Sequence, residues 1–311
     1  MRVLLSLLLT LVCLGASAAP KPNIVYILAD DLGFAELGCN GSDRYKTPNI
    51  DALANSGVRF TRFYTAPLCG PSRALILTGR YGFRSGAVTQ DACKTIIRTG
   101  EKAEVMIPTV LKQAGYASAL IGKWGQLTPS GDPSDWGFDH ELYYKGSGMY
   151  WNSTVAKPMS EGGEVRGDPD TYVLDGKTIK VKDEEYIPDL LHKDATAWLE
   201  AHKAGPFFLY YSLSHVHGEI LPTPDSSPAP KGESNNQRAQ RLLADNIAYM
   251  DKLVGKLVAE LERLKLRENT LIVFMGDNGS TKSAAVDATI GGRRIEGEKG
   301  SMKEGGGLVP F

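Results

Sequence analysis

The apolar positions of the chain fall into two kinds of run, and their alternation predicts its fold. Residues 23–29, 116–121, 206–213 and 270–276 are short, largely apolar runs without polar alternation, the mark of strands buried on both faces of a parallel sheet. Helical signals separate them. Residues 47–57 open with Thr47 as a cap and Pro48 at the first helical position, and close at Gly57. Residues 107–115 repeat that pattern, and residues 235–266 form the longest signal, with apolar positions from Leu242 to Leu264 recurring at three- and four-residue steps. Residues 58–64 alternate like a strand leading to Cys69, whereas 131–188 show no sustained period and read as long loops with a short hairpin at 171–181. Strands alternating with helices predict an α/β fold around a mostly parallel sheet.

What stands at the strand ends gives the chemistry, because ligands of open α/β sheets gather outside the carboxyl ends of the strands. The first strand ends in Asp30-Asp31 and the last in Asp277-Asn278. Paired acids at one strand end are by themselves ordinary turn or cap residues. Two such ends supplying only oxygen donors point to a hard cation, calcium or magnesium, and a loose cage of many ligands favours calcium. The third strand ends in Ser214-His215-Val216-His217, where the two histidines read as a metal pair, as acid groups or as plain loop residues.

Composition narrows the setting. A hydrophobic content of 42% over 311 residues supports one substantial core. Thirty-five Lys and Arg against 36 Asp and Glu argue against a general nucleic-acid or membrane-surface binder, so anion recognition is local. Residues 1–18 read as a secretory signal peptide with Arg2, an apolar stretch and Ala16-Ser17-Ala18, and no later run is long enough to span a bilayer. Cys13 leaves with that signal. Of the remaining three cysteines, Cys39 with Cys93 is the disulfide that spares Cys69, and two free thiols are the alternative. Asn40, Asn152 and Asn278 each begin a glycosylation pattern.

Cys69-Gly70-Pro71-Ser72-Arg73 reads as a loop entering a helix, which places the thiol at a helix N-terminus. Arg73 and Arg80 add fixed positive charge. A buried inert cysteine is the plain alternative.

The whole run, Cys-x-Pro-Ser-Arg followed by Leu77-Thr78-Gly79-Arg80, closely resembles the signature of the type I sulfatases. The resemblance implies an alkaline-phosphatase-like fold and an exported catalytic domain over residues 20–311, secreted, periplasmic or in the secretory and lysosomal pathway. It also implies conversion of Cys69 to formylglycine by a maturation enzyme, and hydrolysis of sulfate monoesters of small molecules or glycans. By the same resemblance Asp30, Asp31, Asp277, Asn278 and residue 69 bind the divalent cation, and Arg73 lowers the pKa of the nucleophile. Lys123 in Gly122-Lys123-Trp124 and Lys299 before Glu304-Gly305-Gly306 contact sulfate, and His217, with His215 in reserve, protonates the leaving oxygen.

There are departures from the family pattern. Gly125 stands where many members carry a histidine, with His140 a nearby stand-in, and Gly307-Leu308 replaces a Val-Arg-like pair. The chain also stops before the small C-terminal sheet and helix of the family. A phosphate or phosphonate monoesterase on the same scaffold and an inactive sulfatase-like fragment are the alternative readings.

Overall fold

The computed structural model describes residues 20–96, 100, 103–125, 127, 131–144, 150–151, 172–218, 220–282 and 288–311. The expected signal peptide and the Asn152 pattern lie outside them. Strands β1 (Asn23–Ala29), β2 (Ala117–Lys123), β3 (His140–Tyr144), β6 (Phe207–Leu213) and β7 (Thr270–Gly276) run parallel. The hairpin β4 (Tyr172–Leu174) and β5 (Lys177–Ile179) adds antiparallel to β3, giving the order β5-β4-β3-β2-β6-β1-β7. A separate two-stranded ribbon joins β8 (Thr289–Ile290) to β9 (Arg293–Arg294).

Helices cover both faces. Along β1, Val25, Ile27 and Ala29 pack with Ile50 of α1 (Pro48–Asn55), Leu191 and Leu199 of α5 (Ile187–His202), and Ile247 and Met250 of α6 (Asn235–Arg263). Tyr26 and Leu28 face the other way, toward Ala74 and Leu77 of α2 (Cys69–Thr78) and Ile107 and Leu111 of α4 (Ile107–Gln113). Both sides of the strand are therefore dry, which is why its sequence lacks alternation. Each fully buried aliphatic side chain contributes roughly 1.5–3 kcal/mol. The short helices α3 (Gly82–Ser85) and α7 (Glu304–Gly307) stand in the connections.

Register decides where the charged residues emerge. Ala29 pairs with both Leu213 and Gly276, so Asp30, Ser214 and Asp277 leave the sheet at one level. Gly122 pairs with Ser212, which brings Lys123 to the same edge.

Several expectations need correction. Residues 58–63 form no ladder. Tyr64 makes a single bridge to Leu308, and Phe60 and Phe63 pair irregularly with residues 309–311. The stretch 131–188 is not all loop, since β3 enters the central sheet there and α5 begins at Ile187. Strand β3 was hidden by its polar start, His140-Glu141, where the buried Glu141 carboxylate accepts the backbone N–H groups of Ser134 and Gly176. Thr47 does not cap α1, because its hydroxyl bonds Asp51 and accepts from the Gly38 N–H. Cys39 and Cys93 are free thiols that pack on opposite faces of the sheet, so the pairing between them is absent. Asn40 is buried and tied to the Phe34 carbonyl, and Asn278 is fully buried, so both are closed to glycosylation in the folded chain. The glycines after Lys303 are packing residues, not a flexible linker, since a Cβ on Gly306 would lie 1.9 Å from the Ser301 carbonyl oxygen.

Candidate active site

Cys69 is the first residue of α2 and is 1% exposed. Below it, at the strand ends, three carboxylates meet three cations. Asp30 Oδ2 lies 2.5 Å from Lys123 Nζ, and both side chains are fully buried. Asp31 accepts Lys299 Nζ at 2.7 and 2.8 Å. Asp277 Oδ2 accepts from Arg73 Nε at 3.0 Å and forms an ion pair with Nη2 at 2.9 Å, while its Oδ1 accepts the Asp31 N–H. Charges this deep are tolerable only as pairs, since removing one partner strands the other in a low-dielectric interior.

Arg73, four residues after Cys69 and coupled to it by charge, also braces the strand ends. Its Nη1 donates to Ser212 Oγ at 2.6 Å and to the Lys123 carbonyl at 3.0 Å. The guanidinium thus ties the ends of β2, β6 and β7 together, and its bonds run to the carboxylate cluster. Arg80 lies outside the site, at the far end of α2, paired with Glu104.

The electrostatics follow from burial and neighbours. Burial alone raises the pKa of Asp30, but Lys123, His217, Arg73 and Lys299 outweigh it and hold the carboxyl well below its usual range. Asp277 is pushed up by burial and by the charge of Asp30, against Arg73. Burial lowers the ammonium pKa of Lys123, yet Asp30 and then Cys69 raise it overall. Lys299 shows the same balance, with Asp30, Asp31 and Cys69 raising it. Residue 69 and the two lysines therefore share one electrostatic environment.

The chain fits a divalent cation here. Asp30 Oδ1 and Asn278 Oδ1 are buried oxygens without a hydrogen-bond partner, and the Asn278 amide is aimed by its Nδ2 donating to Asp31 at 2.8 Å. An all-oxygen donor set with unsatisfied lone pairs suits a hard cation. Ligand-capable atoms of Asp30, Asp31 and His217 also lie within 4.8 Å of one another.

His217 arrives on a strained turn. Val216 has φ +66°, an outlier for a β-branched residue, and Asp31 opposite it has φ +58°. The Tyr150 hydroxyl, 2.9 Å from the carbonyl oxygens of both Ser214 and His217, spans this turn. The ring's Nδ1 donates to the Gly218 carbonyl at 2.7 Å, which leaves Nε2 3.8 Å from Asp31 Oδ2. Burial lowers the His217 pKa against the raising effect of Asp30. His215 is not an alternative to it, because it packs among Tyr150, Tyr186 and Tyr249 and burial brings its pKa down to about 3. With its ring turned into that aromatic cluster, His215 is not among the ligand-capable atoms gathered by Asp30, Asp31 and His217. His140 is no stand-in at Gly125 either. It begins β3, opposite Ala119, held between Asp175 and Asp194 at 3.0 and 2.8 Å. Gly125 itself has φ +71°, and a Cβ there would lie 3.2 Å from Lys123 Cε, so position 125 borders the site.

A model of the family described as Sulfatase matches residues 22–311. The chain belongs to the sulfatase family. It is 36% identical to arylsulfatase G of Rattus norvegicus over 290 residues, covering 85% of this chain and 52% of that protein. With N-acetylgalactosamine-6-sulfatase of Mus musculus it shares 33% over 300 residues, 90% of this chain and 55% of that one. Among solved structures, Ps i-CgsB superposes with a TM-score of 0.75 at 32% identity, covering 93% of this chain and 65% of its own, and has also been solved with k-i-k-neocarrahexaose. The sulfatase chain described here spans about half the length of these curated relatives. Its fold is the alkaline-phosphatase-like α/β sandwich the motif implied, with a mostly parallel sheet flanked by helices.

Three contacts in this sulfatase site were not anticipated from sequence: Ser212 on Arg73, Tyr150 on the His217 turn, and Gln90, whose Nε2 lies 3.1 Å from Cys69 Sγ. Ser212 sits inside an expected strand, where its polarity was the available signal. Tyr150 and Gln90 lie in segments without periodicity.

Proposed function

We propose that the chain is the catalytic part of an exported sulfatase that hydrolyses aryl or carbohydrate sulfate monoesters. The observation that carries this reading is the convergence of Cys69, at a helix N-terminus, with Lys123, Lys299, Arg73, His217 and three buried carboxylates at one edge of the sheet. The names of the relatives support the substrate class, since one is an arylsulfatase and another an N-acetylgalactosamine-6-sulfatase. The maturation enzyme is the implied partner.

When converted to formylglycine, residue 69 supplies as its hydrate one hydroxyl to attack sulfur and a second whose deprotonation releases sulfate. Asp30, Asp31, Asp277 and Asn278, with residue 69, would hold calcium or magnesium, which supplies positive charge toward the sulfate oxygens. Three carboxylates against three fixed cations leave the cluster near neutral, so a divalent ion makes it net positive and suited to an anionic ester.

The protein's own groups do the rest. Lys123 and Lys299 each carry three N–H donors, more than their carboxylate contacts require, and present them to sulfate oxygens where charge shifts during transfer. His217 gives a proton from Nε2 to the leaving oxygen, while its Nδ1 bond to the Gly218 carbonyl holds the ring. An imidazole rather than an oxygen at this position suits an acid better than a ligand for a hard cation. Arg73 holds Asp277 and the strand ends in register.

The test is peptide mass spectrometry across residue 69, on chain secreted from a host shown to mature a control sulfatase. Conversion of the thiol to the aldehyde is expected. An unmodified Cys69 would sink the mechanism.

A further inference from the structure

We propose that Gln90 is a further catalytic residue of this site, donating a hydrogen bond to the nucleophilic heteroatom on Cβ of residue 69. The proposal rests on the sulfatase reading. Gln90 Nε2 lies 3.1 Å from Cys69 Sγ, and its Oε1 accepts the backbone N–H of Gly70 at 2.8 Å. One carboxamide thus spans the first two residues of α2. Gly70 N–H belongs to the first turn, which has no partner within the helix, and the residue before the helix, Leu68, has no side chain to cap it. Gln90 provides that cap from a distant loop.

The cap also fixes the direction of the amide. A backbone N–H can only donate, so it must face Oε1, and the NH2 group must then face residue 69. An amide NH2 donates and takes up no proton. It therefore offers residue 69 one fixed N–H donor, aimed by the cap at the heteroatom on Cβ. The loop is well anchored for this purpose. Ala87 and Cys93 on either side are fully buried, and Cys93 bonds the Thr89 carbonyl through both its N–H and its thiol. Gln90 thereby faces residue 69 from a loop, independently of the carboxylates and lysines at the strand ends.

The experiment compares wild type, Gln90→Met and Gln90→Glu in the full chain, with conversion of residue 69 quantified by mass spectrometry. Gln90→Met should lower kcat about 10–100-fold at equal conversion. Gln90→Glu retains an acceptor for Gly70 N–H and loses the donor, so it should show the same fall in kcat with an unaltered Tm. A purely structural cap predicts wild-type kcat for Gln90→Glu, and that result overturns the proposal.

A second measurement separates this idea from the function itself. In the 15N–1H spectrum of the unconverted chain, the Gln90 side-chain amide should move on Cys69→Ala, and an unmoved resonance overturns the contact. A wild type that converts and releases no sulfate contradicts the sulfatase reading, and the spectrum still decides the contact.

Discussion

Two parts of the site are built by different physics. The carboxylate wall comes from adjacent strands, β1 and β7, whose parallel register delivers Asp30, Asp31, Asp277 and Asn278 together, with Arg73 clamping β2, β6 and β7 across the sheet. The other groups, residue 69 at the start of α2 with the Gln90 loop, and the His217 turn, depend on single contacts: the Tyr150 hydroxyl, one glutamine amide and a strained valine. The carboxylate wall is part of the protein's stability, and the second part is chiefly a matter of aim. Disturbing the first should cost folding and turnover together, whereas disturbing the second should cost turnover most and stability less.

Lys123→Met gives the largest expected effect. It strands the fully buried Asp30, so unfolding in denaturant should show a loss of about 3–5 kcal/mol, with activity near background. Full stability in this variant would show that the pair does not carry the fold. His217→Ala should lower kcat about 10²–10⁴-fold with Tm changed by no more than a few degrees. Because burial holds the His217 pKa below 6.5, an acid role means activity falls as pH rises through that lowered value, placing the optimum on the acidic side. His217→Ala should flatten that limb, and a profile unchanged in shape would contradict the role. Tyr150→Phe removes the hydroxyl shared by two buried carbonyls, so stability should fall by about 1–3 kcal/mol and kcat should drop as the His217 turn loosens. Rate constants equal to wild type would sever Tyr150 from the site.

The smallest effect concerns His215. Its folded pKa of about 3 lies below the unfolded value of 6.5, so the unfolded chain binds the proton first and stability falls as pH drops from 6.5 toward 3. His215→Phe should make stability less pH-dependent across that window in denaturant titrations. A slope identical to wild type would mean that His215 is solvated.

The same contrast explains what could be read from the chain. Strands β1, β6 and β7 announced themselves because both faces are buried, and Asp30-Asp31 and Asp277-Asn278 came with them as strand-end residues. Strand β3 escaped because its first residues are polar and satisfied by partners remote in sequence, such as Asp194 on His140. Gln90 and Tyr150 carry no periodic signal, since their contacts depend on where a loop returns in three dimensions. His215 and His217 look equivalent in sequence. Only the turn at Val216, which sends one ring into the aromatic core and the other toward Asp31, tells them apart.

The most direct test of the central claim is the initial rate of sulfate release from an aryl sulfate by the full chain, co-produced with a maturation enzyme and supplied with calcium. It is compared with Cys69→Ala and with the matching phosphate ester. Turnover of the sulfate by wild type, background rate for Cys69→Ala and a much slower phosphate reaction are the predicted results. Equal rates for wild type and Cys69→Ala, or no sulfate release by fully converted protein, would contradict the account.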